Sequence, residues 1–294
     1  MARALRATDP KAATPSKPKI LIFGKGGVGK TWTALDFPSV YYIDTEGGAD
    51  LAHYTDKLKA SGGVYLGPRQ GSNDFGFVTD EIVTLATTKH PYRTLIIDSY
   101  SKLFGTAISA EYERMEKAGR DMEKTFGAEK KPALNWTRRW LRWFEKLDMN
   151  VILICHEKDE YKDGKLVGTT FDGWDKLSYE LHLALQIVKQ GNSRKAKVVK
   201  TRLLGFPDAD VFDWSYATFA ERYGRDVMES ESAPVELAAP ELLATYDALL
   251  KAIKVDEKTL EKWAEIDRED LDRDTVQKRI DWLNKQVAAA GAKT

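Results

Sequence analysis

The segment Gly24-Lys25-Gly26-Gly27-Val28-Gly29-Lys30-Thr31 has residue types and spacing suited to phosphate chemistry. It fits G-x-x-x-x-G-K-[ST] at every position. Glycines here let successive backbone N–H groups curl around phosphate oxygens. Lys30 can reach the β and γ phosphates of a nucleotide, and the Thr31 hydroxyl can ligate Mg²⁺. A second metal anchor is offered by Thr94-Leu95-Ile96-Ile97-Asp98, an apolar run that closes on an acid. This is the Walker B pattern, in which Asp98 holds Mg²⁺ through water; the alternative is a strand whose Asp98 only caps the next helix. The expected ligands are ATP and Mg²⁺.

Such a loop must sit between a strand and a helix. The strand is Lys19-Ile20-Leu21-Ile22-Phe23, and a helical stretch follows from Thr31 to Phe37. Further short apolar runs at Val40–Ile43, Val64–Leu66, Leu95–Ile97 and Val151–Cys155 alternate with helical patterns. Strands alternating with helices imply an α/β fold with a mainly parallel central sheet covered on both faces. After Cys155 the pattern changes: Leu183–Val188 and Lys197–Thr201 read as a hairpin around Gln190, Gly191, Asn192 and Ser193.

Domain organisation follows from composition. Residues 1–18 read as a flexible basic tail, with Arg3, Arg6, Lys11 and Lys17 against Asp9. Residues 19–225 form the core, 226–240 a linker, and 241–290 a small helical module. In the module, Leu242, Leu243, Tyr246, Leu249, Leu250 and Ile253 repeat at helical spacing. Leu260, Trp263 and Ala264 mark a second helix capped by Asp256. Val276, Ile280, Leu283 and Val287 mark a third, capped by Asp274 and ending before Gly291.

Bulk properties exclude several classes. The 294 residues carry 45 Lys+Arg and 45 Asp+Glu, so the formal net charge is zero. That rules out a uniformly basic nucleic-acid binder and leaves room for a local patch. No stretch approaches the roughly 18 apolar residues of a membrane span. A single cysteine, Cys155, excludes a disulfide framework and a multi-cysteine metal site. The N-terminal residues have no apolar signal core, so the cytoplasm is the expected compartment.

Residues 19–225 resemble a core-only RecA-like ATPase. The marks are FGKGGVGKT, IDTEGG, LIIDSYSKL and ILICHEK, shared with phage-encoded AAA-domain nucleotide-binding proteins that include the Sak-type single-strand annealing group. The resemblance implies a RecA-like sheet, Mg²⁺-dependent and DNA-stimulated ATP hydrolysis, and a role in recombination or annealing. It implies that Glu46 polarises the attacking water, where the alternative is an ordinary loop acid. It places His156 where such proteins sense the γ-phosphate, usually with Gln; the alternative is a locally satisfied imidazole. Lys197-Val198-Val199-Lys200-Thr201-Arg202 resembles the strand that carries K-x-R in this superfamily. Lys200 and Arg202 lie two apart and share a strand face. The resemblance has them cross a subunit interface as fingers of a homo-oligomer; the alternative is a solvated basic edge strand.

Lys25 opens other readings. GKGGVGKT matches the loop of the ParA/MinD group, whose lysine reaches a partner's nucleotide, which suggests a dimeric switch ATPase. Those chains follow the Walker B acid with Thr-Pro-Pro, whereas here Ser99-Tyr100 follow. A nucleotide-binding regulatory protein without DNA contact is a third reading.

Single-stranded DNA has two candidate surfaces. Residues 157–177 hold Tyr161, Lys162, Lys165, Phe171 and Trp174 among several acids, and read either as a stacking loop or as a structural hairpin. Lys189, Arg194, Lys195, Lys197, Lys200 and Arg202 form a second, acid-free run. Trp136, Trp140 and Trp143 share one helix face beside Arg138, Arg139 and Arg142, a pattern of burial more than of stacking. Residues 235–294 hold 10 basic and 13 acidic residues, which suits contact with a single-strand-binding or other recombination protein more than a DNA clamp.

Overall fold

Strand β1 (Lys19–Phe23) is buried along its whole length, which is why it reads KILIF with no polar alternation after Lys19. The computed structural model containing it describes residues 16–48 and 51–291. The other strands are β2 (Val40–Asp44), β3 (Val64–Leu66), β4 (Thr94–Asp98), β5 (Asn150–Cys155), β6 (Glu157–Lys162), β7 (Lys165–Phe171), β8 (Leu183–Gln190), β9 (Ser193–Thr201) and β10 (Val211–Asp213). Eight of them form one sheet in the order β10-β9-β8-β1-β5-β4-β2-β3, while β6 and β7 form a separate antiparallel hairpin. From β3 across to β8 every pairing is parallel, and β9 and β10 add an antiparallel edge. The expected α/β fold with a mainly parallel sheet is thus present.

The helices are α1 (Lys30–Ala34), α2 (Ala52–Ala60), α3 (Phe75–Thr87), α4 (Tyr100–Lys117), α5 (Lys131–Lys146), α6 (Leu177–Glu180), α7 (Tyr216–Tyr223), α8 (Arg225–Glu229), α9 (Pro240–Ala252), α10 (Glu257–Ala264) and α11 (Arg273–Gly291). Ser99 caps α4, its Oγ accepting from Lys102 N at 3.2 Å. Among the described residues, no helix is long and apolar enough to cross a membrane.

The chain divides into two compact units. One holds the described residues up to Val78 with Pro91–Thr137 and Asp148–Ser232. Its core joins strand residues such as Ile22, Ile152 and Leu185 to Phe37, Trp214 and Phe219. The other unit holds Thr79–His90, Arg138–Leu147 and the described residues from Ala233 on. Its three C-terminal helices enclose Tyr246, Leu271, Val276, Ile280 and Leu283. In it Arg139 donates to Asp270 at 2.6 and 2.8 Å, and Trp140 Nε1 donates to Thr79 Oγ1 at 2.7 Å.

Several boundaries differ from the sequence expectation. The second unit draws on two internal segments, because α3 and α5 residues supply partners that the C-terminal helices lack alone. The expected linker at 226–240 begins inside the first unit, where α8 buries Met228 completely. Lys17, expected in the tail, is 2% exposed, and its ammonium donates to Ser230 O at 2.7 Å and Asp148 O at 3.2 Å. The rest of that tail, with Arg3, Arg6 and Lys11, lies outside the described residues. Asp256 caps α10 as expected, accepting from Thr259 N. The cap of α11 is Asp272 and not Asp274, since Asp272 accepts from both Thr275 N and Thr275 Oγ1 at 2.8 Å. Gly291 is the last residue of that helix.

Candidate functional site

Strand register brings the chemical residues to one edge. Phe23 pairs with Cys155, Asp98 with Ile154, and Asp44 with Asp98. The carboxyl ends of β1, β2, β4 and β5 are therefore level, and the residues that follow them share a crevice, as expected at a switch point of a parallel sheet. A cavity of about 1040 Å³ opens there. It is lined by Gly24, Lys30 and Thr31, by Asp44, Glu46 and Asp98, and by His156 and the base of the β6–β7 hairpin.

The loop's glycines answer to specific neighbours. Gly24 has φ +154°, and a Cβ there would fall 2.3 Å from the Ile187 carbonyl oxygen of β8. Gly29 has φ +92° and leads into α1. Gly26 has open space around it. Lys30 folds back over the loop, its Nζ donating to Gly24 O at 2.7 Å and Lys25 O at 3.0 Å. Partial burial lowers its pKa, against the raising effect of Asp98. The Lys25 side chain is exposed.

Thr31 and Asp98 meet: Thr31 Oγ1 donates to Asp98 Oδ2 at 2.5 Å. Tyr42 Oη donates to the same oxygen at 3.0 Å, a contact that no sequence spacing announces. Burial pushes the Asp98 carboxyl up to about 6 despite these two hydrogen bonds. A desolvated carboxylate beside a threonine hydroxyl is an oxygen donor set that fits Mg²⁺, whose charge would offset the burial cost.

Glu46 and His156 also come together. His156 Nε2 lies 2.7 Å from Glu46 Oε1, with the two side chains 49% and 40% exposed. Ser99 Oγ donates to Glu46 Oε1 at 2.5 Å and stands 3.3 Å from His156 Nε2. The peptide bond joining Asp98 to Ser99 is cis. Asp44 is committed elsewhere: its Oδ1 accepts from Glu46 N at 2.9 Å and Gly47 N at 3.0 Å, shaping the turn that presents Glu46. Thr45 N donates to Asp98 O at 2.7 Å, and Ser99 N to Thr45 Oγ1 at 2.9 Å. These bonds fasten the end of β2 to the end of β4. Ser99 was open to discovery as the N-cap before an apolar helix; Tyr42 and Thr45 act through space, and only the fold reveals them.

Lys200 and Arg202 lie elsewhere. Thr201 pairs with Leu183, and Leu183 with Ile20, so both cations sit toward the amino end of β1, away from their own phosphate loop. Both donate to the Tyr179 carbonyl, and Lys200 also to that of Leu181. Burial, helped by the charge of Arg202, pushes Lys200 down to about 8. In the basic run, Lys189 and Lys197 are exposed, while Lys195 pairs with Asp213 at 2.7 Å.

Of the aromatic candidates, Tyr161 is 64% exposed, but Phe171 is buried against Phe23 with ring centroids 6.1 Å apart. Trp140 and Trp143 are buried, as their helical spacing suggested. On the other flank of the loop, Trp32, His53 and Tyr54 form an aromatic cluster with the Lys57 ammonium 4.0 Å from the Trp32 ring centroid. Tyr54 and the exposed Leu51 line the cavity. Among the described residues, no group of three or more His, Cys, Asp or Glu side chains is placed to hold a metal by itself.

A protein-family model described as an AAA domain matches residues 16–210. Among solved structures, the chain is similar to the crystal structure of the RadB recombinase, at 17% identity and a TM-score of 0.41, over 67% of this chain and 86% of that one. No curated protein matches.

The contrast between two loop glycines is testable. Gly24→Ala places a Cβ against a backbone carbonyl at a strained φ and should cost about 1–3 kcal/mol of stability. Gly26→Ala should leave the urea midpoint within experimental scatter. Equal effects would show that the approach of β8 to the loop is not limiting.

Proposed function

The chain belongs to this AAA-domain family, and from that premise we propose that it is a RecA-like ATPase acting on single-stranded DNA, in phage recombination or strand annealing. The observation that carries this reading is the convergence of Lys30, Thr31, Asp98, Glu46 and His156, from four strand ends, on one cavity. Lys30 would leave the loop carbonyls for the β and γ phosphates. Thr31 and Asp98 would hold Mg²⁺, which when bound neutralises phosphate charge. Gly24–Thr31 would wrap the phosphates with backbone N–H groups.

Glu46 orients the attacking water in this reading. Ser99 and the Asp44-bound turn hold its carboxylate over the cavity, and Asp44 is already occupied by two N–H groups. His156, beside Glu46, would report the γ-phosphate. The aromatic cluster at Tyr54 offers the base a stacking surface. Lys200 and Arg202, remote from their own loop, would complete the neighbour's site in a homo-oligomer. Exposed Lys189, Lys197 and Tyr161 would meet the DNA backbone and bases. The acid-rich C-terminal helices would contact a single-strand-binding or other recombination protein.

Lys30→Ala should abolish MgATP hydrolysis. Glu46→Gln should keep nucleotide binding and slow turnover by roughly 100-fold or more, the scale of a positioned general base. Full turnover in the first variant, or an unaffected second with a crippled Asp44→Asn, would overturn the assignment.

Single-stranded DNA should raise the hydrolysis rate, and its affinity should fall steeply as salt rises, because phosphate contacts release counterions. Absence of binding at low salt with MgATP present would remove DNA from the reading.

Arg202→Ala should bind nucleotide yet lose ATP-dependent assembly and most hydrolysis. Mixed with Lys30→Ala, it should regain part of the activity, since each chain keeps what the other lacks. A dead mixture of folded, co-assembled chains would rule out action across subunits.

A further inference from the structure

We propose that Arg194 is a second cation, from the same chain, for the phosphates of a nucleotide held at Gly24–Thr31; this rests on the nucleotide reading above. The pairing of β1 with β8 ends at Phe23 and Gln186, but β8 runs on to Gln190. The β8–β9 hairpin therefore overshoots β1 and stands beside the phosphate loop. Arg194 opposes Lys189 near its tip. Alternation puts Arg194 on the same face as Ala196 and Val198. Those two are buried in the core with Ala34, Leu35 and Phe37, at and just beyond the end of α1. The Arg194 side chain is thereby laid over the last loop glycine. A Cβ on Gly29 would fall 2.0 Å from Arg194 Nε and 2.9 Å from its Cζ.

Two cations of this region are already neutralised: Lys195 pairs with Asp213 and Arg222 with Asp210. Arg194 as a residue is half-buried, and its guanidinium has no hydrogen-bond or ion-pair partner among the described residues. Its donors are therefore open to an anion. A phosphate chain in the adjoining loop supplies one, and the planar guanidinium suits two phosphate oxygens at once. Because the contact lies at the loop and not at a transferring group, it serves ADP and ATP alike. It adds affinity without adding rate.

The experiment is calorimetric titration of the full chain with Mg-ADP and with Mg-ATP. Arg194→Met keeps the aliphatic stem over Gly29 and removes the charge. It should weaken both nucleotides by about tenfold, as for one charge-assisted hydrogen bond. The salt dependence of ADP binding should become shallower, and the unfolding temperature of the free protein should not fall. Arg194→Lys should restore part of the affinity. ADP affinity in Arg194→Met equal to the parent's would overturn the proposal and leave the nucleotide reading standing. Weakened binding with a lowered unfolding temperature and no rescue by lysine would overturn it too, by assigning Arg194 to packing. A parent chain that binds neither nucleotide would defeat both.

Discussion

Backbone pairing on both edges of β1 is the constraint from which the site follows. A buried strand can leave no N–H or C=O group unpaired, so its register with β5 and β8 is fixed residue by residue. That register sets where Phe23 ends and where the chain must turn, and it sets the level of Cys155 beside it. The pairings of β5 with β4 and of β4 with β2 pass the same level on to Asp98 and Asp44. A one-residue slip in any of these ladders would turn side chains to the other face and break the Thr31–Asp98 contact. The glycine at position 24 belongs to the same constraint, since β8 lies too close for a side chain.

Polar bonds at the strand ends then convert level backbone into positioned chemistry. Asp44 and Thr45 spend no side-chain capacity on solvent: one shapes the turn before Glu46, the other bridges to Ser99 and Asp98. Ser99 has a double duty, capping α4 and holding Glu46. Glu46 is therefore held at the cavity by Ser99 and by the turn that Asp44 shapes, while Thr45 fixes the strand end beside them.

How much of this the sequence disclosed depended on distance along the chain. The phosphate loop is contiguous, so its eight residues announce themselves, and burial on both faces writes the central strands as unbroken apolar runs such as KILIF and NVILIC. The short edge strand β10 and the β6–β7 hairpin carry no such run, because β10 has three residues and the hairpin is largely exposed. Tyr42 on Asp98 and Arg194 over Gly29 join residues far apart in number, which periodicity cannot reveal. Lys17 looked like tail because charge normally means exposure; its ammonium is satisfied by carbonyls of residues 148 and 230, far away in the chain. The division into units is illegible in the sequence for the same reason, since residues 79–90 and 138–147 group with the described residues beyond position 232.

That last arrangement has a bearing on synthesis. Arg139 and the Asp270 that neutralises it are separated by 131 positions. At a ribosomal rate of about 5–20 residues per second, the arginine emerges roughly 7–26 s before its carboxylate exists. During that interval Arg139, Trp140 and Trp143 must wait without the C-terminal helices that complete their unit. The nascent chain thus carries a cationic side chain that the folded protein conceals, and helices α9–α11 close a unit whose earlier parts leave the ribosome well before them.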